Sequence, residues 1–175
     1  MLRVYGDILS GICYKVKLLL TQLGLEHQWI FTDIRAGQSR TPEFPAKSPN
    51  GRIPLLEHAP GRFLAESNAI LSFLAEGTPF LAWDRVEWAE VLQWMFFEQY
   101  SHEPYIGTSR NYIALLGEPA KYIARRVKPG YAALTVMERH LKDRQYFAGG
   151  RYSIAEGTQS GRRIPGRRAC LRGGA

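Results

Sequence analysis

Apolar residues at positions 12, 13, 16, 19, 20 and 23 recur at the spacing of one helix face, and Gly24 follows the last of them. A helix with one apolar stripe must bury it against another element. Its neighbours supply that element. Upstream, Leu2-Arg-Val-Tyr5 is short and β-prone, and Gly6 to Gly11 reads as a turn. Downstream, Trp29 and Phe31 alternate with Gln28 and Thr32 as a second strand. Residues 34–51 are rich in Pro, Gly and Ser and read as loop with a helical turn. Leu55–Glu57 and Arg62–Leu64 flank His58-Ala-Pro-Gly61, a hairpin signal. Ser67 to Ala75 reads as a helix, with Ile70, Leu71 and Leu74 on one face and Ser67 as its N-cap. Residues 1–76 therefore read βαβ, loop, ββα.

Gly77-Thr78-Pro79 punctuates the chain, and the composition then changes. Residues 83–100 are helical in period and carry Trp83, Trp88, Trp94, Phe96, Phe97 and Tyr100. Pro104 is expected to end or kink that helix. A second helical stretch covers about 120–142, interrupted at Pro129-Gly130. The fold class is thus α/β plus all-α: a mixed domain over 1–77 and a helical one over 83–156. Residues 157–175 hold five glycines, five arginines and no acid, and disorder is expected there.

That segment decides how the charge is read. The net charge is +7, and the five arginines supply most of it, so the body is near neutral. The charge therefore points to at most a nonspecific attraction for nucleic acid. An apolar content of 45% with 22% charged residues excludes a disordered or fibrous protein. No apolar run nears the ~18 residues of a membrane span, and Met1 to Gly11, with Asp7 and no apolar core, carries no secretory signal. Cys13 and Cys170 make no disulfide framework, which suits a reducing cytoplasmic setting. His27, His58, His102 and His140 are scattered, so no metal site is expected.

Three short motifs in the first half bear on chemistry. Ser10-Gly-Ile-Cys13 stands at a strand-to-helix junction. Unpaired N–H groups and partial positive charge at a helix start stabilise an anion, and a hydroxyl there can donate to a thiolate. Ser10 is equally suited to plain N-capping. Cys13, one turn in, is either a small buried residue or a nucleophile. Pro49-Asn-Gly-Arg-Ile-Pro54 precedes a strand. A cis Ile53–Pro54 bond would leave the Ile53 backbone free for an extended ligand, whereas a trans bond would simply open an edge strand. Glu66-Ser67-Asn-Ala-Ile70 offers a carboxylate for an ammonium group and a helix start for a carboxylate, or an ordinary cap beside a solvated acid.

In this order and spacing, the motifs resemble the glutathione S-transferase family, and its bacterial serine-type members in particular. The resemblance continues through Gln93-Trp-Met-Phe-Phe-Glu-Gln-Tyr100 and Tyr152-Ser-Ile-Ala155, and covers residues 1 to about 156. It implies a thioredoxin-like first domain and a helical second domain, with glutathione as co-substrate and no other cofactor. By this resemblance, Ser10 would stabilise the glutathione thiolate and Ile53 would hold the cysteinyl backbone. Glu66 and Ser67 would hold the γ-glutamyl end, and Lys47 and Arg52 would contact the glycyl carboxylate. Trp94, Phe97, Tyr100 and Tyr105 are candidate linings of an electrophile pocket between the domains, although aromatics at helical spacing also serve as core. The resemblance further implies a homodimer that conjugates small electrophiles in the cytoplasm, with no membrane partner. The alternatives are glutathione-dependent reduction using Cys13, and a non-catalytic glutathione-binding or protein-interaction module.

The chain departs from the family pattern near its end. Ser153 and Glu156 form a capping box, and Tyr152 is placed for a hydrophobic staple, but the staple's partner position is Gly157. Where the family continues with an apolar helix, a Gly/Arg segment follows. This reads as a truncated or frame-shifted product, with a genuine basic extension as the other reading. On the first reading, apolar faces of the helices at 83–100 and 120–142 would be left uncovered.

Overall fold

A computed structural model of the protein describes residues 1–82 and 84–158. The first strand, β1 (Leu2–Gly6), leads into α1 (Gly11–Gln22) and back to β2 (His27–Phe31), which lies parallel to β1. After a loop with a single 3₁₀ turn at Gln38–Arg40 come the hairpin strands β3 (Leu55–Ala59) and β4 (Arg62–Ala65), then α2 (Ser67–Ala75). The sheet has four strands in the order β2-β1-β3-β4, with β3 antiparallel to both neighbours. This is the thioredoxin-like arrangement that the resemblance implies. α1 ends where its apolar period ends, and Gly24 follows at φ +64°, a conformation that costs glycine no Cβ clash.

The helical half opens with α3 (Arg85–Phe97), capped by Asp84, whose Oδ1 accepts from the N–H groups of Val86 and Glu87 at 2.8 and 2.9 Å. Pro104 does not end this helix. The chain continues as a π-helix over Glu98–Gly107, one α turn termed α4 (Thr108–Arg110) and a second π segment (Asn111–Leu115). The widened turns absorb the N–H that proline lacks. A 3₁₀ turn at Ala120–Ile123 then feeds α5 (Ala124–Leu141), which runs through Pro129. The short α6 (Ile154–Thr158) closes the described chain. Among the described residues no helix is long and apolar enough to cross a membrane.

One apolar core joins the two halves. Val4 and Leu56 from the sheet, Val16 and Leu20 from α1, and Ile70 and Leu71 from α2 pack with Val91, Trp94 and Met95 of α3 and Ile154 of α6. Each such side chain, fully buried, contributes about 1.5–3 kcal/mol. The acidic half of the capping box forms: Glu156 Oε2 accepts from the Ser153 N–H at 2.7 Å and from its hydroxyl at 2.9 Å, while the Ser153 hydroxyl oxygen accepts from the Ala155 N–H at 3.2 Å. Glu156 Oε1 also accepts from the Phe147 N–H at 2.6 Å, so one carboxylate ties α6 to the preceding loop. The staple forms elsewhere, because the Tyr152 ring meets Phe80 edge-on at 5.9 Å rather than position 157. Gly157 and Thr158 belong to α6. The rest of the segment expected to be disordered, 159–175, lies outside the described residues, as does Trp83.

Candidate functional site

Strand register brings the three motifs together. Tyr5 pairs with Leu55, and Leu55 with Ala65, so these residues form one row across the sheet. Ser10 follows Tyr5, Ile53 precedes Leu55, and Glu66 and Ser67 follow Ala65. All therefore lie at one end of the sheet although they are far apart in the chain.

The turn between β1 and α1 is built by Asp7. Its Oδ1 accepts from the Leu9 N–H at 2.9 Å and its carbonyl from the Ser10 N–H at 3.0 Å. Ser10 occupies the N-cap at φ −75°, ψ 122°, and its carbonyl accepts the first bonds of α1 from Cys13 and Tyr14. Its side chain makes no capping bond. The hydroxyl instead lies beside the Cys13 thiol. That thiol is fully buried, and burial, the dominant influence, pushes its pKa up to about 11 despite the lowering effect of hydrogen bonds from Asp7 and Ser10. On the order of one Cys13 in ten thousand is then a thiolate at neutral pH. Cys13 is a packing residue, grouped with Phe44, Ile53 and Leu55.

The Ile53–Pro54 bond is cis. Among the described residues the Ile53 backbone takes no hydrogen-bond partner. Arg52 beside it is exposed, and its carbonyl accepts from the Ser48 hydroxyl at 3.4 Å. The Lys47 ammonium lies over the Tyr5 ring at 5.3 Å and near Phe63 at 5.8 Å. Glu66, not Ser67, is the N-cap of α2, and Ser67 is the buried first helical residue. Glu66 is exposed and stands at φ +67°, the only positive φ outside glycine among the described residues. Such a conformation costs about 1–3 kcal/mol and gathers at functional positions.

Ser10 opens into a cleft of about 680 Å³ between the sheet end and the helical half. Its walls include Ile12, Tyr14, Lys15 and Arg35 on one side and Glu98, Glu103, Ile106 and Arg110 on the other. The four aromatics expected to line it do not. Trp94 is core, at 4% exposure, held between Phe97, His140 and Phe147. Phe97 packs against the same core, Tyr100 is 84% exposed, and Tyr105 packs toward Gly130 of α5. Trp94 and Phe97, on regular α3, are taken up by the apolar core, and beyond them the widened π turns shift the faces on which Tyr100 and Tyr105 fall, which period counting along an ideal helix does not foresee.

Sequence reasoning missed the charged groups beneath the cleft. Lys15 is 1% exposed, and its ammonium donates to Asn68 Oδ1 at 2.8 Å and to Glu98 Oε2 at 3.1 Å. Asn68 also donates to the Met95 carbonyl at 3.0 Å, so α1, α2 and the helical half meet on one polar cluster. Burial lowers the Lys15 pKa, and the Glu98 carboxylate opposes that shift. Glu98, His102 and Glu103 each bring one ligand-type atom within 4.8 Å of the others. Glu98 of this group already pairs with the Lys15 ammonium at 3.1 Å. The sequence signal was a lysine on the apolar side of α1, next in period to Leu19.

A family model described as "Glutathione S-transferase, N-terminal domain" matches residues 9–76. A crystal structure of a glutathione S-transferase from Pseudomonas fluorescens is 48% identical with a TM-score of 0.88, covering 90% of this chain and 80% of that one. A glutathione transferase from Pseudomonas putida, solved with one glutathione disulfide bound per subunit, is 30% identical with a TM-score of 0.77, over 90% of this chain and 71% of that one. Disulfide-bond oxidoreductase YfcG of Escherichia coli K12 is 31% identical over 151 residues, 82% of this chain and 70% of that protein. The match to Transcriptional regulator URE2 of Saccharomyces cerevisiae is 34% over 109 residues, and the chain spans only 30% of that relative's length.

Proposed function

The chain belongs to the glutathione S-transferase family, and from that premise we propose that it binds glutathione at this sheet end and transfers its thiolate to small electrophiles in the cleft. The observation that carries the reading is Ser10: an N-cap residue whose hydroxyl does no capping, at the mouth of the cleft. A free alkyl thiol has a pKa around 8.5. A thiol seated here meets a hydroxyl donor and the positive end of α1, both of which favour its thiolate. The free backbone of Ile53 suits the cysteinyl peptide, and Glu66 with Ser67 suits the zwitterionic γ-glutamyl end. Lys47 and Arg52 supply positive charge for the glycyl carboxylate. Ile12, Ile106 and Leu115 offer apolar wall to the electrophile. The reading includes a homodimer in the cytoplasm. Exposed Phe96 and Tyr100, at 66% and 84%, support a partner copy on that face.

Similarity to a disulfide-bond oxidoreductase favours a second reading, reduction of disulfides by bound glutathione. The buried, protonated Cys13 argues that any such chemistry runs through glutathione's own sulfur. Retention on immobilised glutathione, followed by conjugation and disulfide-reduction assays on the eluted protein, separates the readings. Conjugation is the expected activity. Retention with neither activity would leave a binding module.

A further inference from the structure

The cleft holds an ionisable side chain that activation of a thiolate does not need. Glu103 lines it together with Ser10. Its carboxyl lies over Gly107, one turn on, where a Cβ would collide with it, so the missing side chain provides its seat. Among the described residues Glu103 forms no ion pair. Glu98 and His102 face it from its own helix, Lys15 from α1 and Arg110 from α4. Lys15 is engaged with Glu98, and Arg110 with the Leu9 carbonyl. Asp7 and Arg35, also lining the cleft, form their own pair at 3.6 Å, and α5 contributes apolar Leu134 and Met137.

We infer that Glu103 is a proton donor to the electrophile, which equips the cleft for substrates that become oxyanions on thiolate attack: epoxides and α,β-unsaturated carbonyls. The inference rests on the transferase reading above. Burial, and then the Glu98 charge, push the Glu103 carboxyl up to about 7 against Lys15 and Arg110, so a large share carries a proton at neutral pH. With an epoxide, the C–S bond forms as the C–O bond breaks, and the freed oxygen takes the Glu103 proton. With an unsaturated carbonyl, the C–S bond forms at the β carbon, and the resulting enolate takes it. Solvent then reprotonates the carboxylate. An aryl chloride expels chloride and needs no proton, so it serves as the internal reference.

The test compares kcat/KM for an aryl epoxide and for an activated aryl chloride, in the wild-type chain and in Glu103→Gln, from pH 6 to 8.5. Both reactions need the same thiolate, so their ratio isolates the proton donor. The epoxide-to-chloride ratio should fall at least about tenfold in Glu103→Gln at pH 6.5. In the wild type it should decline as pH rises through about 7, whereas in the variant it should be flat. A ratio unchanged by the substitution overturns the inference. So does a wild-type ratio that is flat with pH, a measurement that needs no variant to fold. A wild-type chain that conjugates neither electrophile overturns the transferase reading and this inference with it. A chain that conjugates the chloride with a normal but pH-flat ratio overturns this inference alone.

Discussion

The Arg110 guanidinium donates a 3.0 Å hydrogen bond to the Leu9 carbonyl, joining residues 101 positions apart. Leu9 immediately precedes Ser10, so the helical half holds the loop that presents the serine hydroxyl. Asp7 holds the same loop from within, through the Leu9 N–H. The proposed thiolate-stabilising group thus has one support from each half of the molecule.

Arg110→Ala should loosen that loop with little loss of global stability, about 1 kcal/mol, since the arginine is exposed. Amide exchange should rise at residues 8–11, and conjugation should fall about tenfold, a loss of positioning. Unchanged exchange at those amides would remove the strap role.

Ser10→Ala should cut kcat/KM for conjugation about 100-fold, the order expected for losing one donor to a developing anion. Glutathione affinity, measured by calorimetry, should change far less. Ile53, Glu66 and Ser67 are proposed to hold the tripeptide independently. An equal loss of affinity and turnover would make Ser10 a binding residue instead.

Removing Glu98 strands a buried ammonium. Glu98→Ala should therefore destabilise the fold by about 3–5 kcal/mol in urea titrations. Replacing both partners, as Lys15→Met with Glu98→Leu, should recover more than half of that loss. A double variant as unstable as the single one would show that the cluster's hydrogen bonds to Asn68, and not the ion pair, dominate.

Glu103 also makes stability depend on pH. Its folded pKa of about 7 lies above the usual 4.5, so between these values the folded state keeps a proton that the unfolded state has released. Unfolding then releases a proton, and stability falls as pH rises through this window, levelling off above about 7. Glu103→Gln lacks that term and should gain stability relative to the wild type between pH 5 and pH 8. Parallel curves for the two proteins across that range would place the Glu103 carboxyl at its ordinary value.

The local elements were legible in the sequence because their determinants are local. The apolar period of α1 with Gly24, the hairpin signal around Pro60-Gly61 and the bounds of α2 depend on residues within a turn or two. Even the gathering of Ser10, Ile53 and Glu66 was implicit once β1, β3 and β4 were in register, because register alone stacks Tyr5, Leu55 and Ala65. The tertiary structure decided the rest. Lys15 and Glu98 are 83 positions apart, and although the period of α1 puts Lys15 on its apolar side, nothing near either residue names the other as its partner. The continuation of the helix past Pro104 depends on what α5 and the cleft pack against it, and packing between the two halves, not local period, put Glu103 in the cleft and Trp94 and Phe97 in the core. Periodicity reports which side of a segment is apolar. Which charges share a low-dielectric interior is set by where distant segments meet, and there the cost of burying a charge is met only by a partner that folding alone supplies.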